Sequence, residues 1–562
     1  MKSLNWLLYQ VHRWVGLVLG LFMFFWFSTG LVIMYAHPTT QSHGEQLAHA
    51  ESLIPEYNWQ TLGSVWEHYL ASNNSPTTQQ IDKPTDKADK PAVSEQKKSP
   101  PPSIVDARLV RSAGEPLWII EDSKGQFIAL SAIDGSLHKT SIDQALKIAK
   151  NWYGNQGQYD AKVRFIETIE TIDSSLILRN QDNLKPFHLV DVNDGDELLI
   201  SEKTGEVLHA STPIDRAFYW AGNWLHLLKP LELISLGKIR NDVQLYLGLF
   251  ATIATLTGVI IGWLRWRPGI GGRPTYSKGR TQPYREFWFK WHFWSGLIGG
   301  IIVLFWAFSG FISTNPAKIF SAANPAKDEV ARFIGKNSSS IINEWHPSLP
   351  ASLAVAVDNA DIVELNWRQL NDEALLIAIR RDGKRSSQSI NGEPNSLQFS
   401  ENTLLKALAR ATKDTPIASQ MLINDYDSYY YPRHHQTVID KPLPVLQVKL
   451  ADDAGTYFYI DPQDGRILAK LDQSRRIYRW LYSALHHWDF GWLNIRPIWD
   501  IWMLLWVVFG LVLGASSLVL GWKLLKKTFK PKKKTVTRKR RIPVDVYSLE
   551  PELNPQSVKE VI

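Results

Sequence analysis

The stretch Trp14–Tyr35, WVGLVLGLFMFFWFSTGLVIMY, carries no charged side chain and is long enough to cross a hydrocarbon core of about 30 Å as a helix. Three further runs share that character: Val243–Leu264, Phe293–Ile312 and Ile501–Leu520, with Asp242, Arg265, Asp500 and Lys523 just outside them. They predict a membrane α-helical protein with four transmembrane helices, placed within 1–36, 241–265, 288–314 and 497–522. Whole-chain averages hide this, because 562 residues at 44% hydrophobic would by themselves describe a soluble protein. Most of the 24 tryptophans flank the apolar runs, where amphipathic rings favour the interface with water. The chain has no cysteine, which excludes disulfides, thiolate metal sites and cysteine nucleophiles.

Basic residues orient these spans. Arg265–Lys290 holds seven Lys and Arg against one acid, Glu286, and Lys523–Arg541 holds eleven and no acid. Short flanks this basic belong in the cytoplasm, so 266–287 is read as a cytoplasmic loop and 523–562 as a basic, disordered cytoplasmic tail. Lys2 and Arg13 place the N-terminus on the same side, as an uncleaved anchor, since no small-x-small site follows the first run. Without those eighteen loop and tail cations the chain is net acidic, so the overall charge of +7 reports orientation and nucleic-acid binding is not expected. The segments 37–240 and 315–496 then both face outward. Within the first, 72–102 is polar and Pro-rich and reads as a disordered insertion. Leu117–Ile120 and Phe127–Leu130 read as strands, and Ser141–Trp152 as an amphipathic helix with a Ser cap.

The chain repeats itself. Leu8-Tyr9-Gln10-Val11-His12-Arg13-Trp14-Val15-Gly16 is matched by Trp288-Phe289-Lys290-Trp291-His292-Phe293-Trp294-Ser295-Gly296. Eighteen residues after each His comes a second Gly, in Ser28-Thr29-Gly30 and Phe308-Ser309-Gly310. Within 216–230 and 475–490, Arg216 precedes His226 by ten residues and Arg476 precedes His486 by the same ten. The outward segments end alike, in Leu199–Leu208 and in Tyr459–Leu468 with its Asp461-Pro462-Gln463-Asp464-Gly465-Arg466 turn. Two spans per half make the repeats parallel, so equivalent residues lie at equal depth and His12 pairs with His292, His226 with His486. His487 beside His486 leaves the last position ambiguous.

On these motifs the chain resembles the PepSY-associated transmembrane family, which includes inner-membrane ferric-siderophore reductases and iron-uptake factors. The resemblance covers all but 72–102 and the tail. It implies a periplasmic α+β PepSY-like domain in each half, and two b-type haems with His12, His292, His226 and His486 as axial ligands. Arg13, Lys290, Arg216 and Arg476 are then candidate partners of the propionates. Gly16, Gly20, Gly296, Gly299 and Gly300 would let the flat macrocycle approach. Tyr429, Tyr430, Tyr431, Arg433, His434 and His435 form a candidate surface for an iron chelate, by aromatic faces and cations. The implied function is reduction of a periplasmic ferric siderophore, with electrons from quinol or a separate reductase. The alternative is a membrane protein whose PepSY-like domains bind or regulate a periplasmic partner or protease without redox activity. His37, His43 and His49 follow the first span and match no common metal-ligand spacing. No Ser-His-Asp arrangement, phosphate loop or dinucleotide fingerprint is evident, and no catalytic residue is assigned.

Overall fold

The computed structural model describes residues 2–74 (55 and 57 apart), 102–170 (156 and 159 apart), 181–337, 342, 361–389 (372 apart) and 398–529 (434, 435 and 494 apart). The expected insertion and tail therefore fall almost wholly outside the described residues.

Three long apolar helices, α1 (Lys2–Tyr35), α2 (Arg240–Arg265) and α5 (Ile498–Phe529), are each sufficient in length and composition to cross a membrane. Between them the apolar run expected as one span over 288–314 is instead a bent pair, α3 (Phe287–Ile298) and α4 (Gly300–Ser313), at 70°. The break falls at Gly299, where a Cβ would lie 2.7 Å from that of Phe509 on α5. Seven residues after His12, the matching position in α1 is Leu19, next to a single glycine, and that helix runs on unbroken. Helices approach backbone to backbone at Gly514, whose Cβ would meet the Cα of Phe24 at 2.8 Å, and at Gly248, 3.0 Å from that of Phe311.

The segments between the apolar helices fold into three antiparallel sheets. β4 (Val163–Ile169), β5 (Phe187–Val192), β6 (Asp196–Ser201) and β7 (Val207–Ser211) form one meander. β11 (Ile417–Ile423), β12 (Val445–Leu450), β13 (Tyr457–Ile460) and β14 (Ile467–Leu471) form another. The first is covered by the helix Ile142–Gly154, whose Ser141 cap and buried Ala145, Ile148, Ala149 and Trp152 follow the amphipathic pattern. Glu401–Ala411 packs through Leu404, Ala407 and Leu408 in the core of the second.

The third sheet joins the two segments, which the sequence had suggested as separate domains. Its order is β10-β9-β8-β1-β2-β3, with β1 (Ile104–Ser112), β2 (Glu115–Asp122) and β3 (Phe127–Ser131) from one segment and β8 (Ile362–Leu370), β9 (Glu373–Arg380) and β10 (Arg385–Ser389) from the other. Each trio alone would leave an unpaired edge, and β1 and β8 satisfy each other's. Ala107 pairs with Trp367, Arg108 with Asn366 and Leu109 with Leu365. Counted from Ser112 and Leu370, positions 107 and 365 are equivalent, as are 109 and 367, so the pairing maps onto itself when the strands are exchanged.

This seam carries buried charge. Arg108 Nη2 lies 2.5 Å from Glu206 and its Nη1 3.7 Å from Glu364, whose other oxygen is 3.4 Å from His43 Nε2. Burial alone would raise the Glu364 carboxyl, but His43 and Arg108 outweigh it and hold it down at about 2, against an ordinary value of 4.5. A carboxyl depressed by folding stabilises the fold above its unfolded value and loses that contribution as pH falls toward the folded one. Stability should therefore fall between about pH 4.5 and pH 2, by on the order of 3 kcal/mol from this group. Denaturant titrations across that range should show a shallower loss in Glu364→Gln, from a lower starting stability. An unchanged pH slope in the variant would rule this out.

Candidate functional site: two pairs of histidines

His12 on α1 and His292 on α3 face each other with ring centroids 6.1 Å apart and planes inclined at 49°. The Nδ1 of His12 lies 2.9 Å from the Ala254 carbonyl, which can only accept, so that nitrogen carries the hydrogen. The Nδ1 of His292 lies 3.1 Å from Ser516 Oγ and 3.4 Å from Ser517 Oγ. Both hydroxyls already donate to the Leu513 carbonyl, at 2.9 and 2.7 Å, and so accept from the ring. Gly258 leaves room for His12: a Cβ there would lie 2.7 Å from its Cε1.

The second pair is held in a parallel way. His226 follows a π-type turn over Trp220–Trp224, and His486 follows one over Arg479–Ala484, a feature that often marks functional positions. His226 Nδ1 lies 3.0 Å from Thr29 Oγ1, which donates to the Phe25 carbonyl at 3.0 Å. His486 Nδ1 lies 3.0 Å from Ser309 Oγ, which donates to Trp306 at 3.1 Å. Thr29 and Ser309 each stand seventeen residues after the first histidine of their half. Next to them Gly30 and Gly310 would place a Cβ 3.7 and 3.9 Å from Cε1 of the same two rings. The neighbouring His487 turns elsewhere, edge-on to Tyr482, with its carbonyl accepting from Trp499 Nε1 at 2.8 Å.

Every hydroxyl or carbonyl around the four rings thus accepts from Nδ1–H. With the hydroxyl hydrogens engaged by backbone carbonyls, the rings share the tautomer that carries its hydrogen on Nδ1. Thr29, Ser309, Ser516 and Gly258 were not singled out from sequence, although Thr29 and Ser309 sit inside the duplicated tripeptides.

Other sequence candidates fall differently. Arg13 lies 5.2 Å from the Trp14 ring and, like Lys290, is exposed one turn or less from the first pair. Arg216 and Arg476 are committed to the soluble body: Arg216 donates to Gly195 O (2.7 Å) and Ser211 O (3.1 Å), Arg476 to Gly455 O (2.6 Å) and Leu471 O (3.0 Å). They clamp each meander to the helix leading into the histidine segment. Of the five glycines, Gly16 has open space beside it, whereas Gly20, Gly299 and Gly300 sit against Ser517, Phe509 and Val259, and Gly296 touches Leu513.

The tyrosine cluster is a dock between the second meander and the His486 segment. Tyr430 is buried, stacked at 5.0 Å on Tyr459 and bonded to Pro442 O. Tyr431 donates to Asp489, and burial together with that carboxylate pushes its hydroxyl well above the ordinary range. Arg479 reaches Tyr431 and the Asp489 carbonyl at 2.8 Å each, Arg433 reaches Ser483 at 3.1 Å, and Tyr429 accepts from Trp480 at 3.2 Å. His434 and His435 lie outside the described residues. His43 faces Glu364 while His49 stacks on Trp152 at 4.1 Å, so these two do not converge. Among the described residues no three His, Asp or Glu gather as for a bare metal ion.

Fold and site together define a membrane protein with a sheet-built soluble body and helix-borne histidines at two levels of its helical part. The chain belongs to the PepSY-associated TM region family, whose model matches residues 9–352, a span containing His12, His226 and His292. No curated protein matches it.

Proposed function

We infer that the protein is an inner-membrane electron-transfer protein that holds two b-type haems and reduces a ferric siderophore on the periplasmic side. The observation carrying this reading is the set of four imidazoles with Nδ1–H engaged and Nε2 left for a metal. Ligation by both rings requires two metal–nitrogen bonds of about 2 Å and about 1.1 Å from each Nε2 to its ring centre, roughly 6 Å in all, against the 6.1 Å between His12 and His292. Haem held by these imidazoles would supply single-electron exchange. Arg13 and Lys290 remain candidates for its carboxylates at the first pair.

The chain is read as two duplicated halves of two spans each, the bent pair α3 and α4 being the third crossing. A sheet shared by both outward segments supports this, since a chain leaving that side through α2 must return before β8. The self-mapping register of β1 and β8 supports the parallel repeat. The basic loop and tail orient the large body to the periplasm, with both termini in the cytoplasm. Reduction to ferrous iron weakens its hold on hard oxygen ligands, which releases the metal without hydrolysing the chelator. Electrons come from quinol or a separate reductase.

The absorption spectrum of the purified full chain tests this. Sharp reduced b-type bands and a pyridine haemochromogen count of two per chain are expected. A colourless protein would leave the binding or regulatory reading in its place.

A further inference from the structure

Two residues after His226 and two after His486 the chain turns through a left-handed backbone, at Leu228 (φ 52°) and at Trp488 (φ 53°). Each turn opens a short excursion that ends at the first residue of a long apolar helix, Arg240 of α2 or Ile498 of α5. The first excursion exposes large aliphatic side chains: Leu233 and Ile234 are 68 and 63% exposed, Leu236 and Ile239 41 and 46%. The second exposes Trp492 and Ile495, at 69 and 58%. Single exposed apolar residues are ordinary on a protein surface, but here four fall within seven positions and lead straight into a helix apolar enough to cross a membrane. The backbone of this stretch is closed on itself. Glu232 N donates to Lys229 O at 2.9 Å, Ser235 N to Glu232 O at 3.2 Å, Leu236 N to Leu231 O at 2.8 Å and Ile239 N to Leu236 O at 3.2 Å. The Glu232 carboxylate pairs with Arg240 at 3.2 Å. Backbone groups paired internally can enter a medium poor in water, where an open loop cannot. Lys238 is exposed, and its long stem lets the ammonium stay in water while its neighbours sit deeper.

We propose that 233–239, together with Trp492 and Ile495, is a collar lying in the plane of the membrane, and that lipid at the boundary between headgroups and acyl chains covers these side chains. Such a boundary takes apolar side chains to a depth of about 5–10 Å and leaves lysines at its surface. It also favours the amphipathic ring of Trp492. The occupant follows from continuity: α2 and α5 start where the excursions end, so the lipid around those helix ends reaches the collar. The collar has a consequence for the histidines. Arg216 and Arg476 fasten the helix before each of them to a meander, and the collar fastens the chain after each of them to lipid. His226 and His486 are thereby held at the level where the soluble body meets the membrane. The collar requires only that the helices span a membrane, and no haem.

The chain has no cysteine, so single cysteines can be introduced without background. Leu233→Cys, Ile234→Cys and Trp492→Cys each carry a nitroxide on the full chain, reconstituted in vesicles of phosphatidylcholine and phosphatidylglycerol. Leu137→Cys, on the soluble body and 66% exposed, is the control. Collisions with oxygen, which concentrates in lipid, are compared with collisions with a water-soluble nickel chelate. The oxygen-to-nickel ratio is expected to be severalfold higher at 233, 234 and 492 than at 137. Should a label at 233 prevent folding, 234 and 492 give the same reading. Nickel access at these positions equal to that at 137 would place them in water and overturn the collar. Low access to both reagents would overturn it as well, since a protein partner or a second copy of the chain would then cover the patch. Either result would leave the haem reading untouched.

Discussion

If the chain holds two haems as proposed, replacing Gly258 by alanine should lower the count to one, as fully as His12→Ala should. The new Cβ would stand 2.7 Å from Cε1 of His12 and 3.2 Å from its Nδ1, closer than such atoms approach. The ring can escape only by turning away, and turning breaks the 2.9 Å bond to Ala254 O and separates it from His292. The protein should still fold, because the clash falls on one side chain and alanine is the better helix former. Gly262, one turn further along α2, is the control: its nearest neighbour to an added Cβ is Leu297 at 3.7 Å, an ordinary contact, and Gly262→Ala should keep both haems. Haemochromogen counts on the two variants decide. Two haems in Gly258→Ala would mean that His12 ligates from another position, or not at all.

The contrast between those glycines shows where sequence reasoning stops. Apolar runs about twenty residues long identify the helices, because that is the length a helix needs to cross a hydrocarbon core. Yet the bend at Gly299 depends on Phe509, a side chain two hundred residues away that occupies the space a Cβ would need. Glycine spacing near His12 and His292 suggested room for a macrocycle. Most of those glycines serve helix contact, and the one that clears the His12 ring, Gly258, lies on a different helix.

The repeated offsets made the histidines legible in the sequence before any packing was known. They did not reveal Thr29 and Ser309 as partners, because a hydroxyl in an apolar helix bonds its own backbone first. Both do, and that spent hydrogen is what fixes them as acceptors. Arg216 and Arg476 were legible as a repeated pair, and their equivalence holds in space. Their hydrogens, however, go to carbonyls of the meanders, a commitment that spacing cannot display. The β1–β8 seam was invisible for a related reason: alternation tells which face of a strand is buried and not which strand lies at its edge.

In vesicles with the soluble body outside, pre-reduced protein should be reoxidised by a membrane-impermeant ferric chelate added outside and left reduced by the same chelate trapped within. On the proposed reading the route follows contacts on one side of the helices. Trp306 donates to the His486 carbonyl at 3.0 Å and meets Phe27 edge to face at 5.7 Å, with Phe27 seated over Gly510. These rings lie in the apolar helices α1 and α4, whose other ends carry His12 and, through the bend, His292. The Arg479, Asp489 and Tyr431 network ties the His486 segment to the second meander, so on the proposed reading an acceptor bound to the soluble body would sit close to the His226/His486 level. His226→Ala or His486→Ala should therefore abolish reoxidation by the external chelate, down to the rate in buffer alone. His12→Ala should leave the first electron, already resident at the outer level, nearly as fast as in the wild type, and slow only those that follow. Reoxidation equal from both faces, or a first electron slowed as much by His12→Ala as by His486→Ala, would show that the outer pair is not the exit, and transfer toward a periplasmic chelate would have to be abandoned.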